Sequence, residues 1–215
     1  MSVSSAAQSQ ASFESVIRER RSVRHYDASA QISEQELKDL LKEATLAPSS
    51  SNLQPWRFLV INDPEAKKRL LPIANNQQQV VEASAVIAVL GDRDAYKQSE
   101  KINRLAVEAG YMTEEFAATF TANSTKLYGA LPSERREKIA LIDGGLVSMQ
   151  LMLAAKARGY DTVPMGGYNA EQLIAEFRIP DPYVPVMLIA VGKAATPGRP
   201  TSRLPVEDVT VWNTF

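Results

Sequence analysis

Apolar residues at helical spacing first appear at Phe13, Val16 and Ile17, which mark a short helix running into a cluster of arginines. Ser33-Glu34-Gln35-Glu36 is a capping box, with Ile32 and Leu37 at the flanking staple positions. Leu37, Leu40, Leu41 and Ala44 then recur on one helical face, and Pro48 is expected to stop that helix. A polar serine loop follows. Arg57 to Asn62 and Ala85 to Gly91 are short, β-rich apolar runs, hence buried strands. Between them, Asp63-Pro64 opens a helix with proline at its tolerated first position, running toward Leu71. Arg93 to Leu131 is helical but loosely amphipathic, with Tyr111, Phe116, Phe120 and Tyr128 spread along it, and is read as a helical excursion or lid beginning near Tyr96. Glu134 to Arg158 is the strongest helix signal. Its middle is apolar nearly all round, which predicts burial at the centre of the fold. Gly159 caps it, and Gly144-Gly145 inside it would each cost about 1 kcal/mol relative to alanine unless a close helix crossing requires them. Thr162-Val163 is a short strand running into Pro164-Met-Gly-Gly. A helix from Ala170 to Phe177, a strand from Val184 to Gly192 and a proline-rich tail complete the chain.

Strands and helices interleave, but the helices are irregular in length. The pattern favours an α+β fold, a mixed central sheet wrapped by helices, in a single domain over 13–215 with a disordered tail over 1–12. No apolar run reaches the roughly 18 residues of a membrane span, and the first dozen residues lack the features of a secretory signal. A cytoplasmic address is the expectation. Lys plus Arg is 24 and Asp plus Glu is 25, so a chain-wide nucleic-acid or membrane surface is not expected, though a local basic pocket is allowed. The absence of cysteine removes disulfides, thiolate metal sites and cysteine nucleophiles. A single histidine, His25, rules out multi-histidine zinc sites, and no GxSxG, GxGxxG or P-loop motif occurs. No metal is expected, and any enzyme here must borrow its reactivity from a cofactor.

Arg20-Arg-Ser-Val-Arg-His-Tyr26 places three arginines within five residues. A helix end or tight turn could converge two guanidinium groups with the Ser22 hydroxyl, which suits a phosphate; taken alone, the stretch reads first as a solvated charged turn. Pro48-Ser-Ser-Ser-Asn52 offers hydroxyls, an amide and free backbone groups, or is a plain connection. Asn75 to Gln79 is an amide-rich patch, by default a solvated helix surface. Gly166 and Gly167, after a strand, would let a flat ligand approach the backbone, or form a tight turn. Arg203 is a late cation in Thr-Ser-Arg-Leu-Pro.

Taken in order, these pieces resemble the FMN-dependent nitroreductase family: Arg20 to Tyr26, Ala47 to Trp56, Glu82-Ala-Ser84, Pro164 to Gly167 and Ser202 to Pro205. The resemblance runs from about Phe13 to the tail. It implies an intertwined homodimer with FMN at the interface. Arg20, Ser22 and Arg203 match positions that hold the FMN phosphate, Arg21 falls beside the ribityl chain, and Arg24 matches the cation near the pyrimidine edge of the flavin. Pro48, Ser49, Ser50 and Asn52 match the loop that reaches the flavin of the other subunit, while Asn76 and Gln79 match ring-edge contacts. Met165, Gly166 and Gly167 match the segment on one ring face, with the Gly166 backbone N–H directed at flavin N5. His25 is expected to be structural. The chain departs from the pattern where some members carry Glu at the position of Gly166 or Lys at that of Thr201. The implied activity is hydride passage from NADH or NADPH through flavin N5 to nitroaromatics, quinones or similar acceptors by a ping-pong mechanism. Same-fold reductive dehalogenation, enal or aldehyde reduction, and FMN binding without turnover are the alternatives.

Overall fold

The computed structural model describes residues 12–215, so the tail expected over 1–12 lies outside the described residues except for Ser12. The Ser12 hydroxyl accepts the Ser15 amide and caps helix α1, Phe13–Glu19. The capping box forms as expected on α2, Glu34–Ala44. This helix ends before Pro48, because Thr45 turns its hydroxyl onto the Lys42 carbonyl and the chain leaves in a turn. Strand β1, Trp56–Ile61, leads to α3, Pro64–Ile73, with the Asp63 carboxylate on the Ala66 amide. A one-turn helix α4, Gln79–Glu82, precedes β2, Ala85–Asp92. The excursion resolves into α5, Ser99–Glu108, and α6, Glu114–Gly129. The long helix α7, Ser133–Ala157, is followed by β3, Asp161–Met165, then α8, Ala170–Glu176, and β4, Tyr183–Gly192.

The four strands form one sheet in the order β1-β2-β4-β3, antiparallel throughout. The parallel component is a single bridge between Ser22 and Thr162 outside β1–β4's own pairings. Strand β2 is buried along its whole length because helices cover both of its faces. Val86, Ala88 and Leu90 pack with Leu70, Val80 and Leu173 from α3, α4 and α8. Ala85, Ile87 and Val89 pack with Leu40 from α2 and Val147 and Leu151 from α7. The period-2 alternation of the strand thus serves two cores at once.

The all-round apolar character of α7 does not produce all-round burial. A sheet can cover only one side of a helix, so Val147, Ser148 and Leu151 are buried while Ile142, Leu146 and Met149 stay exposed. By length and composition, α7 would also pass for a membrane span, yet 44% of that window is buried within the chain. Its paired glycines separate in role. A Cβ at Gly144 would lie 2.7 Å from a Val186 methyl, so the close contact is with β4, whereas a Cβ at Gly145 would meet nothing within 4 Å. Alanine at Gly144 gains about 1 kcal/mol of helix propensity but presses on a β-branched neighbour with little freedom to turn, at about 1–3 kcal/mol. Gly144→Ala is therefore expected to lower stability by about 1 kcal/mol in urea unfolding, with the slope unchanged. A gain in stability would show that the sheet yields there.

Candidate active site

The arginine segment begins where α1 ends. Arg20 is the C-cap, its amide bonded to the Val16 carbonyl. Arg21 folds its guanidinium back onto the Arg18 and Arg20 carbonyls, at 2.6 and 2.9 Å. That is the favourable place for a cation at a helix C-terminus, so Arg21 closes α1. Ser22 bridges Thr162, and the Val23 amide donates to the Thr162 carbonyl at 3.1 Å. Val23 and Tyr26 are buried; the Tyr26 hydroxyl reaches the Ala190 carbonyl, and the Tyr26 amide reaches Glu82. Two buried anchors three residues apart therefore hold the segment, Val23 on β3, and Tyr26 on β4 and on Ala194 just beyond it. Arg20 is left half-buried and Arg24 exposed, and among the described residues neither is paired with a carboxylate. His25 is also exposed, its Nδ1 3.8 Å from the Glu82 carboxylate.

The tail crosses this segment at a residue that the motifs did not single out. A Cβ on Gly198 would come 2.5 Å from the Arg21 Cβ and 3.1 Å from the Ser22 carbonyl oxygen, so only glycine fits. Pro197-Gly198 was the available signal. Arg203, further along, is exposed and donates to Thr201 Oγ1 and the Ser202 carbonyl, both at 2.7 Å. No hydrogen bond among the described residues joins it to Arg20 or Ser22.

A second group gathers at the other end of β3. Asn75 and Asn76 have φ of 55°, so the amide-rich patch is a left-handed turn rather than a helix surface. The Asn75 and Gln77 side-chain amides both donate to the Gly167 carbonyl at 2.9 Å. Gln79 is buried, its amide donating to Gln77 Oε1 and Met165 Sδ. It braces the glycine segment from within, and Asn76 remains exposed on the turn. Gln77, which the sequence reading passed over, is the pivot of this network. Gly166 and Gly167 are exposed, and a Cβ at Gly166 would meet nothing within 4 Å. Gly166 lies four residues beyond Thr162, about 13 Å along the chain at 3.3 Å per residue. One strand thus links a patch of unpaired cations to a bare backbone ledge.

The serine loop lies elsewhere. Ser51, Asn52 and Gln54 have φ of 48°, 53° and 49°. Non-glycine residues there carry about 1–2 kcal/mol of strain each, so the surroundings must over-determine the loop. Three contacts do so. Ser49 Oγ accepts the Gln54 amide at 3.0 Å. The Ser50 amide and hydroxyl donate to the two carboxylate oxygens of Asp143 on α7, at 3.0 and 3.2 Å. Ser51 Oγ and the Tyr128 hydroxyl of α6 share a hydrogen bond of 2.9 Å. Pro48 and Asn52 stay exposed. Burial pushes the Asp143 carboxyl up from its ordinary value, against the opposing pull of the two Ser50 bonds. The folded state binds that proton more tightly than the unfolded chain does. Keeping Asp143 ionised therefore costs stability above its raised pKa, and the cost disappears below the ordinary carboxylate range.

The expected residues fall into two groups. Strands β1 and β3 are opposite edges of the sheet, three strand spacings or about 14 Å apart. Arg20, Ser22, Arg24, Asn76 and Gly166 belong to the β3 edge, while Pro48 to Asn52 precede β1. The β3 edge offers cations and a hydroxyl for an anion, then polar amides and an unobstructed ledge for a flat group. Among the described residues no cluster of three metal-ligating side chains exists. The donor set of the β3 edge fits an elongated anionic organic group.

Residues 17–193 match the profile of the nitroreductase family. The protein of Bacillus subtilis named "Putative NAD(P)H nitroreductase YdgI" is 48% identical over 202 residues, which is 93% of this chain and 97% of that protein. The CLA biosynthesis enone reductase of Lactiplantibacillus plantarum is 36% identical over 86% of each. A crystal structure from Exiguobacterium sibiricum, solved in complex with FMN, superposes with a TM-score of 0.92 at 47% identity, covering 96% of this chain and 99% of that one.

Proposed function

The chain belongs to the nitroreductase family, and from that premise we propose that it is an FMN-dependent oxidoreductase using NADH or NADPH to reduce nitroaromatics, quinones or similar electron-poor acceptors. The observation that carries this reading is the β3 edge, where unpaired Arg20 and Arg24 stand at one end and the open Gly166-Gly167 ledge at the other. Bound there, FMN would supply the hydride chemistry between nicotinamide and acceptor that no side chain of this protein can supply. Arg20 and Ser22 would hold its phosphate through charge-assisted hydrogen bonds. Arg24 would supply a positive charge to the ring, where reduction builds up negative charge. Gly166 and Gly167 give the ring a surface without side chains and a backbone N–H as donor. Asn76 serves the ring edge, and Gln79 acts through Met165. No general acid or base is assigned.

The same reading requires two chains. The serine loop lies at the edge opposite the cations, so Pro48 to Asn52 serve the flavin held on the β3 edge of a second copy. The open face of α7 at Ile142, Leu146 and Met149 is the surface that meets that copy, with Gly145 in the same stripe allowing close approach. Homodimer formation makes one site from two halves.

Reconstitution with FMN and anaerobic titration with NADPH or NADH tests the activity. Bound flavin should bleach, and a nitroaromatic should restore its colour with turnover. Absence of flavin binding, or flavin that no nicotinamide bleaches, overturns the reading. Arg24→Ala should retain flavin yet be reduced about tenfold more slowly, the loss expected from one displaced charge at the reacting ring. An enone beside the nitroaromatic in the acceptor panel separates nitro reduction from the enone reduction that the L. plantarum relative's name gives.

A further inference from the structure

Asp143 has no part in the chemistry described so far, yet it is a buried carboxylate in the middle of an otherwise apolar helix segment, between Ile142 and Gly144. We propose that Asp143 is a positioning residue for the flavin site, setting the serine loop in the conformation by which it reaches a flavin held mainly by the other chain. The proposal rests on the FMN reading of Pro48 to Asn52.

The geometry that carries it is the two-point clamp on Ser50. Both oxygens of Asp143 are engaged, one by the Ser50 amide and one by its hydroxyl. A two-point contact fixes orientation as well as distance, and it acts immediately before Ser51 and Asn52, the two successive left-handed residues. Asp143 sits on the sheet-facing side of α7, where Gly144 is pressed against Val186, so the clamp is referred to the most rigid part of the fold. Tyr128 holds Ser51 from the lid side, and a small cavity lined by Ser50, Leu53, Tyr96, Tyr128, Arg136 and Asp143 lies between the two anchors. A residue needed only for stability would be poorly chosen here, since burial works against its charge. Retaining it has a physical rationale if the loop must be presented in one conformation to a ligand that this chain does not hold alone.

The test compares wild type with Asp143→Ala and Asp143→Asn as purified dimers, reading FMN affinity by flavin fluorescence quenching and the visible spectrum of bound flavin. Asp143→Ala should weaken FMN about tenfold or more and shift the spectrum toward that of free flavin. Asp143→Asn can accept the Ser50 amide and donate to its hydroxyl, so it should restore affinity to within about threefold of wild type. Wild-type affinity and spectrum in Asp143→Ala overturn the proposal. So does equal impairment of both variants, which would assign the effect to charge rather than to placement. Should the alanine chain fail to fold, Asp143→Ser, too short to span both Ser50 groups, is read by the same outcomes. Failure of the wild-type protein to bind FMN removes the functional reading and this proposal together. Wild-type binding with an unaffected Asp143→Ala chain removes this proposal alone.

Discussion

Arg20→Ala should leave a folded protein that purifies without its flavin. Arg20 stands half-buried at the end of α1, and its guanidinium has no carboxylate partner among the described residues. Its charge is thus available to a ligand. On the proposed reading, that ligand is a phosphate monoester, and a hydrogen bond to a charged group contributes about 1.5–3 kcal/mol. Losing the arginine should weaken FMN about 10- to 100-fold, read as the flavin-to-protein ratio and by titration of the stripped protein. Thermal stability without flavin should change little. Arg21→Ala makes the contrasting control: Arg21 caps carbonyls at the end of α1, so its loss should fray that helix and reach the flavin only indirectly. Lysine at position 20 should recover part of the affinity, because an ammonium restores charge without the planar fork. Full flavin retention in Arg20→Ala would place the phosphate elsewhere.

The second large effect, on the same proposed reading, is at the exposed face of α7. Leu146→Asp should convert the protein to a monomer in size-exclusion chromatography and cost it the flavin at the same time. Leu146 is 43% exposed in the isolated chain, so an acid there is solvated and compatible with its fold. Across a two-fold contact the same substitution buries two like charges against each other, a cost of several kcal/mol. The monomer retains Arg20, Ser22 and Gly166 but has no serine loop opposite them. Its FMN affinity should therefore fall about tenfold or more even though no flavin-contacting residue has changed. A Leu146→Asp chain that remains dimeric would move the interface off α7. A monomer that keeps wild-type flavin affinity would show that one chain completes the site.

What could be read from the sequence was what short-range physics decides. The capping box at Ser33, the proline opening α3, and the apolar runs of β1, β2 and β4 are signals contained in a few neighbouring residues, and the folded chain shows each of them. Helix α2 ends at Ala44, the last residue of its apolar face, and Thr45 turns its hydroxyl onto a helix carbonyl before Pro48 is reached. The burial of α7 was over-read because an apolar surface signals that something covers it, without saying whether the cover is in the same chain. The site motifs were recognisable as a set, but their bracing was not. Gln77 and Asp143 act through partners 90 and 93 residues distant, and Gly198 by close approach to Arg21. Asp143 did leave one mark, an acid within the apolar stretch of a helix, a place where charge persists only for a reason.

On the proposed reading, the opposite-edge placement of β1 and β3 makes binding of the cofactor and binding of a second chain thermodynamically linked. Whatever completes the site stabilises the pair, and whatever stabilises the pair completes the site, by the same factor in both directions. On the proposed reading, flavin occupancy becomes a function of protomer concentration. Dilution alone would release flavin, and added flavin would draw separated protomers back together without any residue changing its contacts within its own chain.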